Sequence, residues 1–296
     1  MVTPFTANGD IEYNALAKLI EFFINSGVHG LYILGTTGEW PLIDKEQRKQ
    51  ILEFVIAQVK ARIPVMVHIG TLPVKDACEL AVHAEKVGAS AISSIPPYYF
   101  PFTEEDIEKY FIAILDAVSV QMPVLLYNIP GFARNVISVK TVTKLKSRYS
   151  NLIGLKDSQG NSVMLKQYLE TVGDDGVVLI GSDDLDLEAF QNGCGGAISG
   201  NANIIPELFI GIMAAYQKGE MEIAGRLQIL INELAKATHF GRVPLLKYGL
   251  GVRGVPSGYA MTPFVENENN DELFLETTIH RILLEFKELA PYLETK

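Results

Sequence analysis

Gly30-Leu-Tyr-Ile-Leu34 and Pro64-Val-Met-Val-His-Ile69 are two short apolar runs, and the segment between them has Ile51, Phe54 and Val55 at three-four spacing. Short runs rich in β-branched and aromatic residues predict β-strands, and three-four spacing predicts a helix with one apolar face. This stretch therefore predicts one βα unit and the strand that begins the next unit.

The same alternation continues along the chain and predicts eight strands. Strands that are apolar at nearly every position are hidden on both faces, as in the parallel sheet of an α/β protein. Eight parallel strands with helices between them can close into a (β/α)8 TIM barrel, which is the fold that we expect. The predicted strands are Val2–Phe5, Gly30–Leu34, Pro64–Ile69, Ser90–Ile95, Pro123–Tyr127, Leu152–Leu155, Val177–Ile180 and Gly196–Ser199.

An open, doubly wound parallel sheet is the alternative fold. Such a sheet usually carries a G-x-G-x-x-G turn that opens a helix and binds a dinucleotide. The glycines between Gly193 and Gly200 have neither this spacing nor a helix directly after them. The barrel is therefore favoured, and a dehydrogenase built on an open sheet would lack its nucleotide motif.

The alternation of strands and helices stops after the eighth strand. The segments Ile223–Phe240, Val243–Gly251 and Asp271–Leu289 have helical periodicity with no strand between them. We expect a catalytic barrel over residues 1–219 and a helical C-terminal extension over residues 220–296.

The composition excludes several classes of protein. The 296 residues include 25 Lys and Arg against 35 Asp and Glu, a formal charge of −10, whereas proteins that bind nucleic acid through its phosphates need a basic face. The two cysteines, Cys78 and Cys194, form no disulfide framework, and no apolar run is long enough to span a membrane. We expect a cytoplasmic protein with no nucleic-acid or membrane partner.

Two strand ends carry side chains that could do chemistry, and in a TIM barrel the reacting groups come from the carboxyl ends of strands. Lys156 follows the strand Leu152–Leu155, where a partly dry pocket would favour a neutral, nucleophilic amine that forms Schiff bases with carbonyl compounds. Tyr127 ends another strand, where a phenol could move a proton. Taken alone, a tyrosine at a strand end more often serves packing, and a lysine directly after an apolar strand is usually the first solvated residue.

The loop Gly35-Thr-Thr-Gly-Glu39 places two hydroxyl groups between glycines. Glycines let backbone N–H groups turn inward, and neighbouring hydroxyls would complete a cradle for a carboxylate. The structural alternative is a turn in which Glu39 caps the next helix. The loop is not a P-loop, because the Lys-Ser/Thr pair is missing.

Acidic residues follow another strand, in Gly181-Ser-Asp-Asp-Leu-Asp186. They suit a helix N-cap at Ser182 and an acidic first turn better than a metal site. The histidines show no paired spacing such as H-E-x-x-H, so we predict no metal. The five histidines are His29, His68, His83, His239 and His280.

Six ordered motifs resemble the dihydrodipicolinate synthase and N-acetylneuraminate lyase superfamily over nearly the whole chain. These motifs are Gly35-Thr-Thr-Gly-Glu39, Pro97-Tyr-Tyr99, Tyr127-Asn-Ile-Pro130, Gly154-Leu-Lys-Asp157, Gly181-Ser-Asp-Asp184 and Gly195-Gly-Ala-Ile-Ser-Gly200.

This resemblance implies a cofactor-free class I mechanism. The lysine that matches Lys156 forms an imine with an α-keto acid, and the tyrosine that matches Tyr127 transfers protons. Thr36 would link Tyr127 to Tyr99, which in these proteins reaches in from a neighbouring subunit. Thr37 would hold the keto-acid carboxylate.

The resemblance also implies a homo-oligomer, a dimer of dimers. Further residues are expected to bind substrate. They are Ser158, Gly181, Asp183, Ser199 and Gly200.

The turn after Tyr127 departs from the dihydrodipicolinate synthases, because Phe132 stands where those proteins place an arginine. The motifs Pro96–Pro101 and Lys156-Asp-Ser158 are most similar to the branch that cleaves 2-keto-3-deoxy sugar acids. We expect cleavage of 2-keto-3-deoxygluconate to pyruvate and glyceraldehyde. N-acetylneuraminate lyase and dihydrodipicolinate synthase are the alternatives. A non-enzymatic keto-acid sensor is disfavoured, because it would not need both an amine and a phenol.

Overall fold

A parallel β-sheet forms the centre of the fold in this computed structural model, which describes residues 1–293. Within those residues the sheet has seven strands in the order β1 to β7, and each strand pairs with its neighbours in parallel. The strands are β1 (Leu31–Ile33), β2 (Val65–His68), β3 (Ala91–Ser94), β4 (Val124–Asn128), β5 (Leu152–Asp157), β6 (Val177–Ile180) and β7 (Gly196–Ala197).

Helices connect successive strands, as the apolar periodicity predicts. Their starts are fixed by side chains that accept hydrogen bonds from free backbone N–H groups. Thr103 and Asp106 form a capping box at one helix, and Asp44 caps another. The connecting helices are α2 (Lys45–Val59), α3 (Val74–Val87), α4 (Glu104–Ala117), α5 (Pro130–Ala133), α6 (Val139–Lys146), α7 (Ser162–Val172) and α8 (Asp186–Gln191).

The chain divides into two compact units. The sheet unit contains Gly30–Gly35 and Ile43–Ile198, and therefore all seven strands of the described chain. The terminal unit contains Met1–His29, Thr36–Leu42 and the chain from Ser199 onward. Its helices are α1 (Tyr13–Asn25), α9 (Pro206–Lys218), α10 (Met221–Ala237), α11 (Val243–Val252) and α12 (Asn269–Leu293).

Parallel strands joined by helices are the TIM-barrel arrangement, so the predicted fold class is confirmed. The three predicted C-terminal helices are confirmed as α10, α11 and α12. In the terminal unit, α10 packs against α9 and α12, and α11 packs against α12. The boundary between residues 219 and 220 stays a prediction.

The predicted first strand, Val2–Phe5, is wrong. Phe5 makes only isolated antiparallel bridges, to Ile11 and Tyr259. Pro4 has no N–H to donate to a ladder, and its carbonyl instead accepts a hydrogen bond from Glu12 N at 2.9 Å. The backbone of this segment therefore has partners in the terminal unit.

Two further details differ from the sequence predictions. Strand β5 continues through Lys156 to Asp157, so the lysine lies within the strand rather than after it. Ser182 precedes a 3-10 turn, Asp183–Leu185, but its side chain makes no capping hydrogen bond. Among the described helices, none has the length and apolar character needed to cross a membrane.

Candidate active site

Lys156 and Tyr127 lie side by side in the sheet unit. The register of β4 and β5 pairs Tyr127 with Lys156, and paired residues of parallel strands point to the same face. Both side chains are buried, with exposures of 6% and 3%. Lys156 Nζ lies 4.3 Å from the centroid of the Tyr127 ring. The sheet thus places an amine against a phenol in a site shielded from water.

Tyr32 on β1 is a second ring beside the same amine, and the sequence analysis did not identify it. Its ring centroid lies 5.0 Å from Lys156 Nζ. The Tyr32 and Tyr127 rings meet edge to face, with centroids 6.1 Å apart and planes at 83°. Tyr32 occupies the middle of a three-residue strand, so in the sequence it looks like an ordinary strand residue. Because Tyr32 and Lys156 are far apart in the sequence, no local sequence pattern indicates that they are in contact.

His68, at the end of β2, packs edge to face against Tyr127 at 6.1 Å. Its Nε2 accepts a hydrogen bond from Ile95 N at 3.3 Å, which places the proton of the neutral ring on Nδ1. Burial lowers the pKa of His68 well below its usual value, and the nearby Arg48 and Lys156 cations lower it further. His68 is therefore a neutral ring that supports Tyr127.

Arg48 is a buried guanidinium in the same unit. It donates to the carbonyl oxygens of His68 at 2.8 Å and Gly70 at 3.3 Å, which lie at the carboxyl end of β2. Burial lowers the pKa of Arg48 to about 10. Arg48 thus brings positive charge to this end of the sheet while fixing the backbone after β2.

Gly181 and Ser158 adjoin the Lys156 side chain. A Cβ atom at Gly181 would lie 2.5 Å from Lys156 Cε and would also clash with Ser158 Oγ. Position 181 must therefore be glycine for the lysine chain to lie as it does. Ser158 Oγ is buried and has no hydrogen-bond partner within residues 1–293, so it is a hydroxyl that a ligand could bind.

Asn128 and Asp157 follow Tyr127 and Lys156 on the same two strands. Asn128 Nδ2 donates to Asp157 Oδ1 at 2.8 Å, and Asn128 Oδ1 accepts from Ile137 N at 3.1 Å. Burial raises the pKa of Asp157, whereas the hydrogen bond from Asn128 lowers it. This pair fixes the backbones of β4 and β5 next to the amine and the phenol.

Asp183 begins the 3-10 turn after β6. The buried acid Asp186 follows directly after this turn. Asp186 has no hydrogen-bond partner for either carboxyl oxygen among the described residues. Burial raises the pKa of Asp186 well above its usual value, and the charges of Asp183 and Asp184 raise it further. Burial also raises the pKa of the Cys194 thiol to about 12, so this cysteine is small filler rather than a nucleophile.

Tyr99 lies outside the buried group around Lys156. It is 74% exposed, and its ring packs edge-on against Phe100 at 5.1 Å. Asn135 holds this loop by donating to the carbonyl oxygens of Pro97 and Phe100, each at 2.8 Å. The loop therefore presents an ordered aromatic side chain at the surface of the sheet unit.

The terminal unit contains both threonines of the Gly35–Glu39 loop, Thr36 and Thr37. Thr36 O accepts a hydrogen bond from Glu39 N at 3.1 Å, which closes a turn around Thr37. A Cβ atom at Gly200 would lie 3.1 Å from Thr37 Oγ1. The structure thus brings Thr37 and Gly200 together. Ser199 Oγ accepts hydrogen bonds from Asn201 N and Ala202 N, at 2.9 and 3.2 Å.

Glu39 does not cap a helix; it forms a buried ion pair. Lys247 Nζ lies 2.6 Å from Glu39 Oε1, and the side chains are 4% and 0% exposed. The lysine also donates to the carbonyl oxygens of Thr3 and Tyr259, and Met261 N donates to Glu39 Oε2 at 2.7 Å. Burial raises the pKa of Glu39 and lowers that of Lys247, and in each case the partner opposes the shift.

Across residues 1–293, His, Cys, Asp and Glu side chains form no group of three or more that could hold a metal ion. Lys156, Tyr127 and Ser158 place an amine, a phenol and a hydroxyl next to one another or on the same strand. An amine enclosed in this way is suited to covalent chemistry with a carbonyl compound.

The chain is similar in sequence to a known family and to known proteins. The model of the dihydrodipicolinate synthetase family matches residues 1–282. A 4-hydroxy-tetrahydrodipicolinate synthase of Bartonella quintana is 33% identical over 281 residues, which cover 95% of each chain. A protein of Escherichia coli named "Probable 2-dehydro-3-deoxy-D-pentonate aldolase YjhH" is 33% identical over 291 residues and again covers 95% of each chain.

Solved structures share the fold. YagE of Escherichia coli is described as a prophage protein of the dihydrodipicolinic acid synthase family in complex with pyruvate. It matches with a TM-score of 0.91 and 29% identity over 96% of each chain. The similarity in fold to YagE therefore covers nearly the whole chain.

Proposed function

The chain belongs to the dihydrodipicolinate synthetase family, and from this membership we propose that it is a class I aldolase that cleaves a 2-keto-3-deoxy sugar acid to pyruvate and an aldehyde. The proposed substrate is 2-keto-3-deoxygluconate, which would give glyceraldehyde. One observation carries the proposal: the buried Lys156 amine lies 4.3 Å from the ring of Tyr127 on the neighbouring strand.

In the proposed reaction, the Lys156 nitrogen attacks C2 of the substrate, and the carbonyl oxygen leaves as water, which gives an iminium ion. Tyr127 donates its proton to the leaving C2 oxygen, and the resulting phenolate takes the proton of the C4 hydroxyl as the C3–C4 bond breaks. The electrons of that bond form a neutral enamine, and the aldehyde leaves. The proton is then delivered to C3, and hydrolysis releases pyruvate and the free amine.

The residues around the amine favour a substrate with neutral hydroxyl groups. Ser158 Oγ is buried and has no hydrogen-bond partner in the described chain, so a substrate hydroxyl would satisfy it. We assign substrate-binding roles also to Asp183, Ser199 and Gly200, and a carboxylate-binding role to Thr37. A carboxylate such as Asp183 accepts from a hydroxyl but repels a phosphate.

A phosphorylated sugar acid would need cationic side chains for its dianion. The loops Phe100–Thr103 and Ala237–Phe240 contain no Arg or Lys. The guanidinium of Arg242 donates to Asn267 Oδ1 at 2.7 Å and to Val265 O at 3.2 Å, so two of its nitrogens have partners within the protein. These features favour the unphosphorylated substrate.

Dihydrodipicolinate synthesis is the second candidate, because a relative that is 33% identical carries the name 4-hydroxy-tetrahydrodipicolinate synthase. Phe132 weighs against it, because this apolar side chain is 75% exposed where those synthases place an arginine. A 2-dehydro-3-deoxy-D-pentonate aldolase activity, as in the name of YjhH, belongs to the proposed substrate class.

The first test is covalent trapping. Borohydride reduction with pyruvate should add a covalent mass to the peptide that contains Lys156, and the Lys156→Ala variant should show no adduct. Tyr127→Phe should still trap pyruvate while kcat falls about 10²- to 10⁴-fold, because a positioned acid or base contributes that much. No adduct in the wild type, or an undiminished adduct in Lys156→Ala, would end the class I assignment.

A substrate panel then decides between the two candidates. We expect kcat/KM for 2-keto-3-deoxygluconate to exceed that for its 6-phosphate, and little condensation of pyruvate with aspartate semialdehyde. An equal or higher kcat/KM for the 6-phosphate would overturn the preference for the unphosphorylated substrate. Efficient condensation would establish the synthase instead.

A further inference from the structure

The Lys156 amine is enclosed by two aromatic rings rather than one. Its Nζ lies 4.3 Å from the centroid of Tyr127 and 5.0 Å from that of Tyr32. A cation within about 6 Å of a ring centroid is attracted by the negative face of the ring, and the attraction strengthens where water is excluded. The function proposed above uses only the hydroxyl group of Tyr127, so the role of Tyr32 remains to be explained.

The position of the Tyr32 ring is fixed by its neighbours. Its hydroxyl donates to Ser93 Oγ at 3.3 Å, and its ring meets that of Tyr127 edge to face. A Cβ atom at Gly35 would lie 2.6 Å from Tyr32 Cε1, so this glycine provides the space that the ring occupies. The Tyr32 hydroxyl is thus directed to Ser93, while its ring is the part that lies beside the amine.

The charge on the Lys156 nitrogen changes during imine chemistry. When the amine has attacked the ketone and protons have equilibrated, the carbinolamine nitrogen is neutral. Loss of the C2 oxygen as water leaves one positive charge on the iminium nitrogen. Carbon–carbon cleavage sends the bonding electrons toward that nitrogen and gives a neutral enamine. A fixed ring face beside the nitrogen therefore stabilises the iminium relative to the neutral species on either side.

We propose that Tyr32 is a catalytic residue whose ring face stabilises the iminium ion on Lys156, a proposal that rests on the aldolase function above. Burial and the neighbouring Tyr127 raise the pKa of the Tyr32 phenol well above its usual value. Tyr32 therefore stays an uncharged ring, and its contribution depends on the electron density of the ring rather than on proton transfer.

The test changes that electron density while keeping the shape of the side chain. Tyr32→Phe removes the hydroxyl, and phenylalanines with one, two and three ring fluorines at position 32 then weaken the ring face stepwise. For each protein, borohydride is added at one subsaturating pyruvate concentration, and the fraction of chains with an adduct is measured by mass spectrometry. The same fluorinated series at Phe111, which is fully buried on α4, is the control.

We expect Tyr32→Phe to keep most of the trapping, and the apparent affinity for pyruvate to fall with each fluorine, by roughly 2- to 30-fold across the series. The Phe111 series should stay flat. A flat series at position 32, or an equal decline at both positions, would show that Tyr32 only packs. Absence of an adduct in the wild-type protein would instead remove the aldolase function itself, so the two failures are distinguishable.

Discussion

Gly181 shows how a single residue without a side chain determines the candidate active site. Gly181 is expected to bind substrate, and in the structure its missing Cβ also makes room for Lys156 Cε and Ser158 Oγ. The Lys156 amine therefore occupies its position because residue 181 has no side chain.

We expect Gly181→Ala to lower kcat/KM about 100-fold, because displacing a reacting group by about 1 Å has an effect of that size. The pyruvate adduct at Lys156 should decrease in parallel. Gly225→Ala is the matched control, since it lies within α10 and a Cβ there meets nothing within 4 Å. Wild-type activity in Gly181→Ala would show that the Lys156 side chain can reach the same position in another conformation.

Lys156 and Tyr127 could be identified as candidates from the sequence, because each lies at or directly after the end of a predicted strand and within a family motif, and the ends of parallel strands meet at one edge. Tyr32 could not, because its importance depends on the strand register and on the space left at Gly35. Gly35, which belongs to the predicted carboxylate cradle, also provides the space that the Tyr32 ring occupies. Contacts between distant strands leave no local trace in the sequence.

At the scale of elements, the Glu39–Lys247 ion pair joins the Thr36–Leu42 segment to α11. Lys247 is the one charged residue in α11, Val243–Val252, a helix that is otherwise almost entirely apolar. A lone lysine in such a helix is a sequence signal for a buried charge with a partner, although the sequence does not say which acid pairs with it.

We expect Lys247→Met to lower the free energy of unfolding by about 3–5 kcal/mol, because it leaves the Glu39 carboxylate buried without its partner. The double variant Glu39→Gln, Lys247→Met should cost less than the sum of the single changes. Urea denaturation measures each value. Lys109→Met, which breaks the exposed pair with Glu105, is the control and should leave the free energy of unfolding almost unchanged. Equal losses at both sites would contradict the role of the buried pair.

The strands and helices are predicted correctly where the apolar pattern extends over a whole βα unit. The prediction fails at a short segment whose conformation depends on the partners of its backbone groups. Strands β1 to β7 lie where the runs of apolar residues predict them, and no strand end differs from its predicted position by more than two residues. Val2–Phe5 has the composition of a strand, but Pro4 interrupts any ladder and the carbonyl of Thr3 accepts from Lys247. Such partners are invisible in a sequence pattern.

For the whole molecule, the exposed aromatic side chains of the sheet unit bear on assembly. Tyr99 and Phe100, whose rings pack edge to face, are both largely exposed, and an exposed aromatic patch often marks an interface with another protein. The Tyr99 loop is ordered by Asn135 rather than by a contact of its ring with the buried amine. We expect this surface to be covered by a second copy of the chain.

Sedimentation over a range of protein concentrations, with activity measured at the same concentrations, checks this expectation. We expect a homo-oligomer at assay concentration and a loss of activity per chain where it dissociates, since Tyr99 is proposed to complete a neighbouring subunit's site. Tyr99→Ala should shift dissociation to higher concentration. A fully active monomer would contradict the expectation.

The hydrogen bond between Lys247 Nζ and the carbonyl of Thr3 spans 244 residues of sequence, and it has a consequence for how the protein is made. At about 5–20 residues per second, the ribosome needs roughly 10–50 s between synthesising the two partners. Phe5 is likewise synthesised long before its partner Tyr259, and Val2 is synthesised long before its partner Asn203. Val2, Thr3 and Phe5 therefore leave the ribosome well before their final partners are made, and during that interval they are open to other contacts.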